Sequence, residues 1–334
     1  MKFVSILIPI YNEEQYISKC IESILESDYS KENMEIILID GGSDDNTLKI
    51  IDEYHKKYNF IKVLHNKEKI VPISMNLGIR EAKGEYIIRL DAHASYPKDY
   101  FSKLVKYHKA LGAANVGATI LTDIRNKNVK SNAIKLILSH PFGVGNSDFR
   151  TGVTKIKEVD TVPFGCFHRS VFKQFGFYDE RLVRNQDIEL NKRIINGGGK
   201  IYLIPDVTCT YFARENFTDL AKNNFSNGKW NILTAYFTKT FHSLSLRHFI
   251  PLLFILSLLL PSLLTIWIPI VGWIVPLSLG SYLALVIIIS LKLNSKETTP
   301  LYLVTGFFIL HLSYGLGSLI GLFSVVKKYF KGIQ

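Results

Sequence analysis

From Pro251 to the end of the chain the only charged residues are Lys292, Lys296, Glu297, Lys327, Lys328 and Lys331. The rest of that tail is mostly Leu, Ile, Val, Phe, Pro and Gly. Three runs in it, Phe249–Pro269, Val271–Leu291 and Leu301–Val326, each reach the roughly 20 apolar residues that a bilayer-crossing helix needs. Trp267, Trp273, Tyr302 and Tyr329 stand near their ends, where amphipathic rings favour a membrane interface. A buried bundle in a soluble protein is the other explanation, and uncharged runs of this length weigh against it. The tail carries a net +4 of the total +11, so residues 1–250 carry +7. They read as an ordinary charged globular chain, long enough for one large domain or two small ones.

The N-terminus is not a convincing leader. Phe3–Ile10 is apolar and follows Lys2, but it is short, and Tyr11-Asn12-Glu13-Glu14 follows with no small-residue cleavage site. A first buried strand fits better and leaves the front domain in the cytosol. Cys20, Cys166 and Cys209 are odd in number and far apart. They read as reduced core thiols.

After that strand the chain alternates. Glu13–Glu26 places Ile17, Ile21, Ile24 and Leu25 on one helical face. Glu35–Ile39 is a second strand, Thr47–Tyr58 a helix, Ile61–Leu64 a third strand, Ser74–Ala82 a helix and Tyr86–Leu90 a fourth strand. Such alternation implies a mostly parallel sheet with helices on both faces. Ligands on these sheets sit at the carboxyl ends of the strands. Three polar clusters fall there: Tyr11-Asn12-Glu13, Asp40-Gly41-Gly42-Ser43 and Asp91-Ala92-His93. Each alone could be a turn or a cap, and Asp44 and Asn46 could cap the second helix. In extended chain, residues i and i+2 point the same way. Asp91 and His93 therefore project together, a carboxylate beside an imidazole, a pair able to hold a divalent cation or its diphosphate complex.

With these clusters in order, the chain resembles the inverting family 2 glycosyltransferases. The resemblance rests on Pro9-Ile10-Tyr11-Asn12-Glu13-Glu14, Ile39-Asp40-Gly41-Gly42-Ser43-Asp44-Asp45-Asn46-Thr47, Asn76-Leu77-Gly78-Ile79, Ala82-Lys83-Gly84-Glu85-Tyr86, Asp91–His93 and Arg184-Asn185-Gln186-Asp187. Pro141-Phe142-Gly143-Val144-Gly145-Asn146, Val162-Pro163-Phe164-Gly165 and Ile188-Glu189-Leu190-Asn191 make it look closest to succinoglycan-type exopolysaccharide glucosyltransferases. The implied fold class is α/β. It is a GT-A (Rossmann-like, mostly parallel sheet) catalytic domain over residues 1–240, followed by a C-terminal hydrophobic membrane helix region over 241–334.

The resemblance also implies the chemistry. The donor is a nucleotide-diphosphate sugar, a UDP-hexose being the expected one. Asp40 suits the N–H of a uracil ring, Pro9 and Tyr11 can wall the base, and Asn12 and Glu13 belong to the same cluster. Gly41 and Gly42 let the nucleotide approach the backbone. Asp91 can reach the ribose or a metal-bound water, and His93 can bind the metal directly. Most relatives have a second Asp where this chain has His93, and imidazole favours Mn²⁺ over Mg²⁺. Asp187 is the expected base, taking the acceptor hydroxyl's proton in a single displacement that inverts the anomeric centre. The plainer explanation of Asp187 is an acid favoured at a helix N-terminus. Relatives have Glu-Asp where this chain has Gln186-Asp187. Gln186 and Trp230 are expected on the acceptor side, although Trp230 could instead anchor the domain at a membrane.

Ser139–Thr161, with His140, Phe142, Asp148 and Arg150, reads as an acceptor-side or donor-closing loop or as plain connection. Phe225-Ser226-Asn227-Gly228-Lys229-Trp230 stands where processive synthases carry Gln-x-x-Arg-Trp. Only Trp230 is kept, which favours single-sugar addition. The expected acceptor is a lipid-linked saccharide at a cell membrane, in bacterial exopolysaccharide or surface-glycan synthesis. Transfer to polyprenyl phosphate and a catalytically silent, nucleotide-binding membrane scaffold are the alternatives. No nucleic-acid module is present, and the basic residues are scattered; Lys239, Arg247 and His248 suit anionic lipid. No Gly-x-Gly-x-x-Gly follows the first strand, which argues against a dinucleotide enzyme. With a cytosolic catalytic domain, three crossings would put Lys327, Lys328 and Lys331 outside, against the positive-inside tendency, while Lys292 and Lys296 fit an inside loop. The conflict singles out Phe249–Pro269, interrupted by Pro251, Pro261 and Pro269, as the segment that does not cross.

Overall fold

Short runs rich in Ile, Leu and Val build the sheet of this computed structural model, which describes residues 2–145, 147–239 and 246–331. Asn146 of the Pro141–Asn146 motif and the last three residues lie outside that set. Strands β1 (Val4–Ile10), β2 (Met34–Asp40), β3 (Ile61–His65) and β4 (Tyr86–Arg89) run parallel, in the order β3-β2-β1-β4. The remaining strands are β5 (Ala94–Ser95), β6 (Asn115–Asp123), β7 (Lys157–Glu158), β8 (Cys166–His168) and β9 (Ile201–Phe212). Every side-chain position of β2 is buried, as expected of a strand covered on both faces. Beyond β4 the sheet turns antiparallel through β8, and β9 pairs with both β5 and β7. The result is a mixed sheet of the GT-A type.

Helices α1 (Ile17–Leu25), α2 (Thr47–Lys57), α3 (Val71–Glu81) and α4 (Tyr100–Leu111) follow β1, β2, β3 and β5. The α1 helix starts four residues later than its apolar face suggests. Asn12 takes a left-handed φ of 54°, and the Glu13 carbonyl closes a turn with the N–H groups of Tyr16 and Ile17. The α3 helix starts three residues earlier because Pro72 sits in its first turn, where its missing N–H costs nothing.

The contacts divide the chain into two compact units: residues 1–121 with 148–212, and residues 122–147 with 213–334. The divisions fall at 121, 147 and 212, whereas the resemblance implies a boundary at 240. In the first unit two apolar cores flank the sheet, one containing Ile6, Ile8, Ile36 and Phe101, the other Leu7, Ile37, Ile39 and Leu190. All three cysteines lie buried and unbonded there.

The expected loop Ser139–Thr161 is partly regular. It holds α6 (Pro141–Val144) and α7 (Asp148–Thr151) as well as β7, and is shared between the units. The first unit also holds α8 (Ser170–Phe175) and α9 (Gln186–Asn196). The second unit contains α5 (Val129–Ser139), α10 (Phe217–Thr238), α11 (Ile250–Leu264), α12 (Ile274–Lys292) and α13 (Pro300–Lys331). Ala133, Ile134 and Ile137 of α5 pack with Leu220, Val286, Leu303 and Phe307. His311 on α13 bonds the Tyr282 hydroxyl (2.9 Å) and the Phe142 carbonyl (2.9 Å), tying α6 to these helices.

Among the described residues two segments are long and apolar enough to cross a membrane, Pro269–Lys292 and Pro300–Phe330. The first apolar run forms only the 15-residue α11, with Pro261 inside it. At 1.5 Å per residue it is about 22 Å long, short of a hydrocarbon core of about 30 Å.

Helices α10 and α13 meet at glycines. A Cβ on Gly228 would lie 2.0 Å from the Tyr314 carbonyl oxygen, and one on Gly317 2.0 Å from that of Phe225. Gly228→Val must force the helices apart. It is expected to cost about 1–3 kcal/mol through overpacking, read as a lower thermal midpoint in detergent. Gly280→Val, where a Cβ meets nothing within 4 Å, should leave the midpoint unchanged.

Candidate functional site

The register Ile10↔Asp40, with β4 beside β1, brings the three polar clusters to one edge of the sheet. The first two are bonded to each other. Asn12 donates from its backbone N–H to Ser43 Oγ (3.0 Å) and from Nδ2 to Asp44 Oδ1 (2.7 Å), and its Oδ1 accepts from the Asp44 N–H (3.0 Å). The Glu13 N–H donates to Thr47 Oγ1 (2.8 Å). Asp44 and Asn46 are not the side-chain caps of α2. Asp45 accepts from the Thr47 N–H (2.9 Å), while Asn46 bonds Glu14 (2.8 Å).

Asp40 is turned inward. It is 2% exposed. Its carboxylate accepts from the N–H groups of Gly42 (2.9 Å) and Ser43 (3.2 Å) and from Ser43 Oγ (2.6 Å). Both oxygens take part in folding the loop. Gly42 has φ 76°, which a side-chain-bearing residue adopts only with strain. Tyr11 is 47% exposed, with Lys69 Nζ 5.7 Å from its ring centroid. Pro9 is half-buried in β1. Tyr11 and Lys69 form the open part of this corner over the buried Gly41, where a Cβ would stand 3.3 Å from the Ile10 carbonyl oxygen and 3.7 Å from Lys69 Cα and Tyr11 Cβ.

At the third cluster, antiparallel pairing of Ala94 with Tyr211 sets the end of β9 beside His93. His93 Nδ1 lies 2.8 Å from Glu13 Oε1 and Nε2 3.2 Å from the Tyr211 hydroxyl. Burial works against charge on this ring, but Tyr211 and the Glu13 carboxylate outweigh it and push His93 up to about 10. Both ring nitrogens are thus engaged by protein partners in this arrangement. Binding of a metal by His93 would require one of these two contacts to open. Among the described residues no group of three His, Cys, Asp or Glu side chains forms a preformed metal site. Asp91 does fit a cation. Its Oδ1 accepts from Arg89 Nη2 (3.0 Å), and no described residue hydrogen-bonds Oδ2. The guanidinium of Arg150, on α7, lies 5.2 Å from the Tyr211 ring centroid.

Asp187 is in the first turn of α9, preceded by Asn185 at φ 63°. It does not simply face solvent at the helix end. Arg89 Nη1 bonds its Oδ2, so one guanidinium holds Asp187 and Asp91 together. Desolvation and the nearby Asp91 raise Asp187 above the usual carboxylate range, although Arg89 opposes them. Gln186 is 7% exposed, and its buried Oε1 has no partner among the described residues. Trp230 belongs to the second unit, half-buried on α10.

Sequence reasoning missed Arg89, Tyr211 and Lys69, while Arg150 was named only as part of the 139–161 loop. Arg89 carried a signal, as a charge inside an apolar strand two residues before Asp91. Tyr211 carried none, because its place depends on antiparallel pairing across 118 residues of chain.

The raised pKa of His93 has a defined sign. Unfolded, the ring titrates near about 6.5. Its pairing with Glu13 therefore contributes fully below that pH and is lost as pH rises through about 10. In metal-free buffer, His93→Gln should be less stable than wild type at pH 6, and the gap in denaturation midpoint should close toward pH 10.

Comparisons with known proteins identify the family. The glycosyl transferase family 2 profile matches residues 5–179. A Methanococcus voltae enzyme, dolichyl N-acetyl-alpha-D-glucosaminyl phosphate 3-beta-D-2,3-diacetamido-2,3-dideoxy-beta-D-glucuronosyltransferase, is 30% identical over 94% of this chain and 96% of its own. The succinoglycan biosynthesis protein ExoA of Rhizobium meliloti (strain 1021) is 29% identical over 67% of each. Among solved structures, GalNAc-T7 with UDP, GalNAc and Mn²⁺ superposes with a TM-score of 0.51 at 20% identity, over 64% of this chain and 44% of that one, a likeness of fold. With its parallel strand ends, its three joined clusters and a match over more than half its length, the chain belongs to glycosyl transferase family 2.

Proposed function

We propose that this chain is a membrane-associated, inverting glycosyltransferase. It moves one sugar from a nucleotide-diphosphate sugar, a UDP-hexose or a derivative of one, to a lipid-linked saccharide in surface-glycan or exopolysaccharide assembly. The observation that carries the reading is Asp187, a desolvated carboxylate held beside Asp91 at the strand ends where nucleotides bind in such folds. The relatives support it. The Methanococcus voltae enzyme is named for a dolichyl-phosphate-linked N-acetylglucosamine and for a β-linked product, and ExoA for succinoglycan biosynthesis.

The chemistry is a single displacement. An acceptor hydroxyl attacks the anomeric carbon, the bond from that carbon to the diphosphate oxygen breaks, and the hydroxyl proton passes to Asp187. Burial suits Asp187 to this role by raising its affinity for a proton. Tyr11 and Lys69 would receive the nucleotide, the ring against the base and the ammonium toward phosphate. Asp91 would hold a divalent cation, which supplies charge neutralisation of the leaving diphosphate. The Mn²⁺ and UDP bound to GalNAc-T7 support such a dependence. Gln186 beside the base, and Trp230, are proposed on the acceptor side.

A panel of nucleotide sugars with polyprenyl phosphate N-acetylglucosamine, assayed with Mn²⁺, Mg²⁺ or EDTA, tests the reading. Transfer should require the cation and give the inverted anomer. Asp187→Asn should lower kcat by about 10²–10⁴-fold while UDP affinity changes little. A product of retained configuration by NMR, or an Asp187→Asn enzyme of normal turnover, refutes the mechanism.

For topology, we propose that α12 and α13 cross and the short α11 does not. Two crossings move Lys292 and Lys296 outside but return Lys327, Lys328 and Lys331 to the cytosol, so two lysines rather than three lie on the outer side. Gly332→Cys, in the undescribed terminus, should react with an impermeant thiol reagent only after the cells are opened. Labelling in intact cells means three crossings.

A further inference from the structure

We infer that Arg89 is a positioning residue for the transfer, its guanidinium locking the base Asp187 and the donor-side Asp91 into one fixed arrangement. The inference rests on the proposed reading of Asp187 as the base.

The sheet does not need an arginine at this position. The backbone of Arg89 is already held by β1 in the register Leu7↔Arg89 and by its N–H bond to the Gly165 carbonyl (3.0 Å). Its neighbours Ile87, Ile88 and Leu90 are 0% exposed. An apolar side chain would serve packing as well. Instead a long cation with an 11% exposed side chain reaches two carboxylates from different parts of the chain, one two residues on and the other 98 residues on.

The geometry suits a rigid fork. One terminal nitrogen takes Asp187 Oδ2 and the other takes Asp91 Oδ1. A planar guanidinium fixes the directions of both bonds, which a lysine ammonium cannot do. With Oδ2 held, the Asp187 carboxylate cannot rotate. Its Oδ1, to which no described residue hydrogen-bonds, remains the proton-accepting atom at a set distance from the donor end. The guanidinium also keeps two like charges apart that would otherwise repel. Arg89 Nε is buried with no partner among the described residues. Leaving a buried N–H unpaired costs stability, so this placement is not what stability alone would select. It is what alignment of two carboxylates requires.

The experiment compares wild type with Arg89→Ala, Arg89→Lys and Asp187→Asn in detergent. Turnover is read as UDP release from UDP-glucose, UDP-N-acetylglucosamine and UDP-glucuronate in the presence of polyprenyl phosphate N-acetylglucosamine. Affinity is read by calorimetry with UDP and Mn²⁺. Arg89→Ala should lose about 10²-fold in kcat, the scale of a misplaced catalytic group, with UDP affinity within about threefold of wild type. Added guanidinium chloride at non-denaturing concentration should restore part of that loss in Arg89→Ala and none in Asp187→Asn. If Arg89→Ala does not melt cooperatively, Arg89→Lys decides. It keeps the buried charge without the fork, and a kcat reduced by about tenfold or more at an unchanged melting midpoint supports the inference. Normal kcat in the folded Arg89 variants overturns it, and so does a kcat loss that merely tracks lost UDP affinity. Asp187→Asn with normal turnover would instead remove the reading on which the inference rests.

Discussion

A buried guanidinium facing two carboxylates is the constraint around which the catalytic unit is arranged. Arg89 leaves β4 with its side chain almost wholly desolvated, and Asp91 and Asp187 meet it from different stretches of chain. A buried ion pair of this kind contributes little net stability compared with a well-packed apolar group. Breaking it by removing one partner costs about 3–5 kcal/mol, because the remaining charge is stranded. The three residues are therefore committed to one another. That commitment fixes α9 against the end of β4, and with it the carboxylate proposed as the base.

A second set of bonds extends the same edge of the sheet. Glu13 gives its backbone N–H to Thr47 and its carboxylate to His93, so the loop after β1 is tied at once to the start of α2 and to the strand end after β4. His93 passes the connection to Tyr211, and Arg150 covers that ring. The polar residues at this edge are thus largely occupied with each other. Tyr11 and Lys69 are the exception, left open at the corner where Gly41 and Gly42 thin the backbone.

The second unit follows a different logic. Among its apolar helices, His311 pairs with Tyr282 and the Phe142 carbonyl, and Ser318 with the Gly228 carbonyl (3.2 Å). Close helix packing at Gly228, Gly315, Gly317 and Gly321 replaces the large apolar interdigitation seen around the sheet. Such contacts suit helices whose outer faces are as apolar as their inner ones, where burial alone gives little reason to associate. Leu301, Phe323, Trp267 and Trp273 remain highly exposed on those outer faces.

Much of this could be read from residues in order. The strands ending at Ile10, Asp40 and Arg89 were legible because apolar runs between helical periodicities have few alternatives, and parallel pairing then brings their ends together. The apolar tail was legible from the spacing of its charges. Other features depended on where distant segments meet. Asp40 was legible as a site residue, but its inward turn depends on N–H groups that only the folded loop directs at it. His93 was legible as a potential ligand, but its contacts with Glu13 and Tyr211, one across 80 residues of chain and the other across 118, were not. Asp187 was named from its motif, yet its pairing with Arg89 needed α9 to dock at the strand end. The placement of residues 122–147 with the C-terminal helices has no local signature at all. Periodicity and composition act within a few residues, so the sequence by itself determined the elements, the family and the edge of the sheet that carries the chemistry. Hydrogen bonds and ion pairs act at contact distance whatever the separation along the chain, so only the tertiary structure decided which of the named side chains remain available to a ligand.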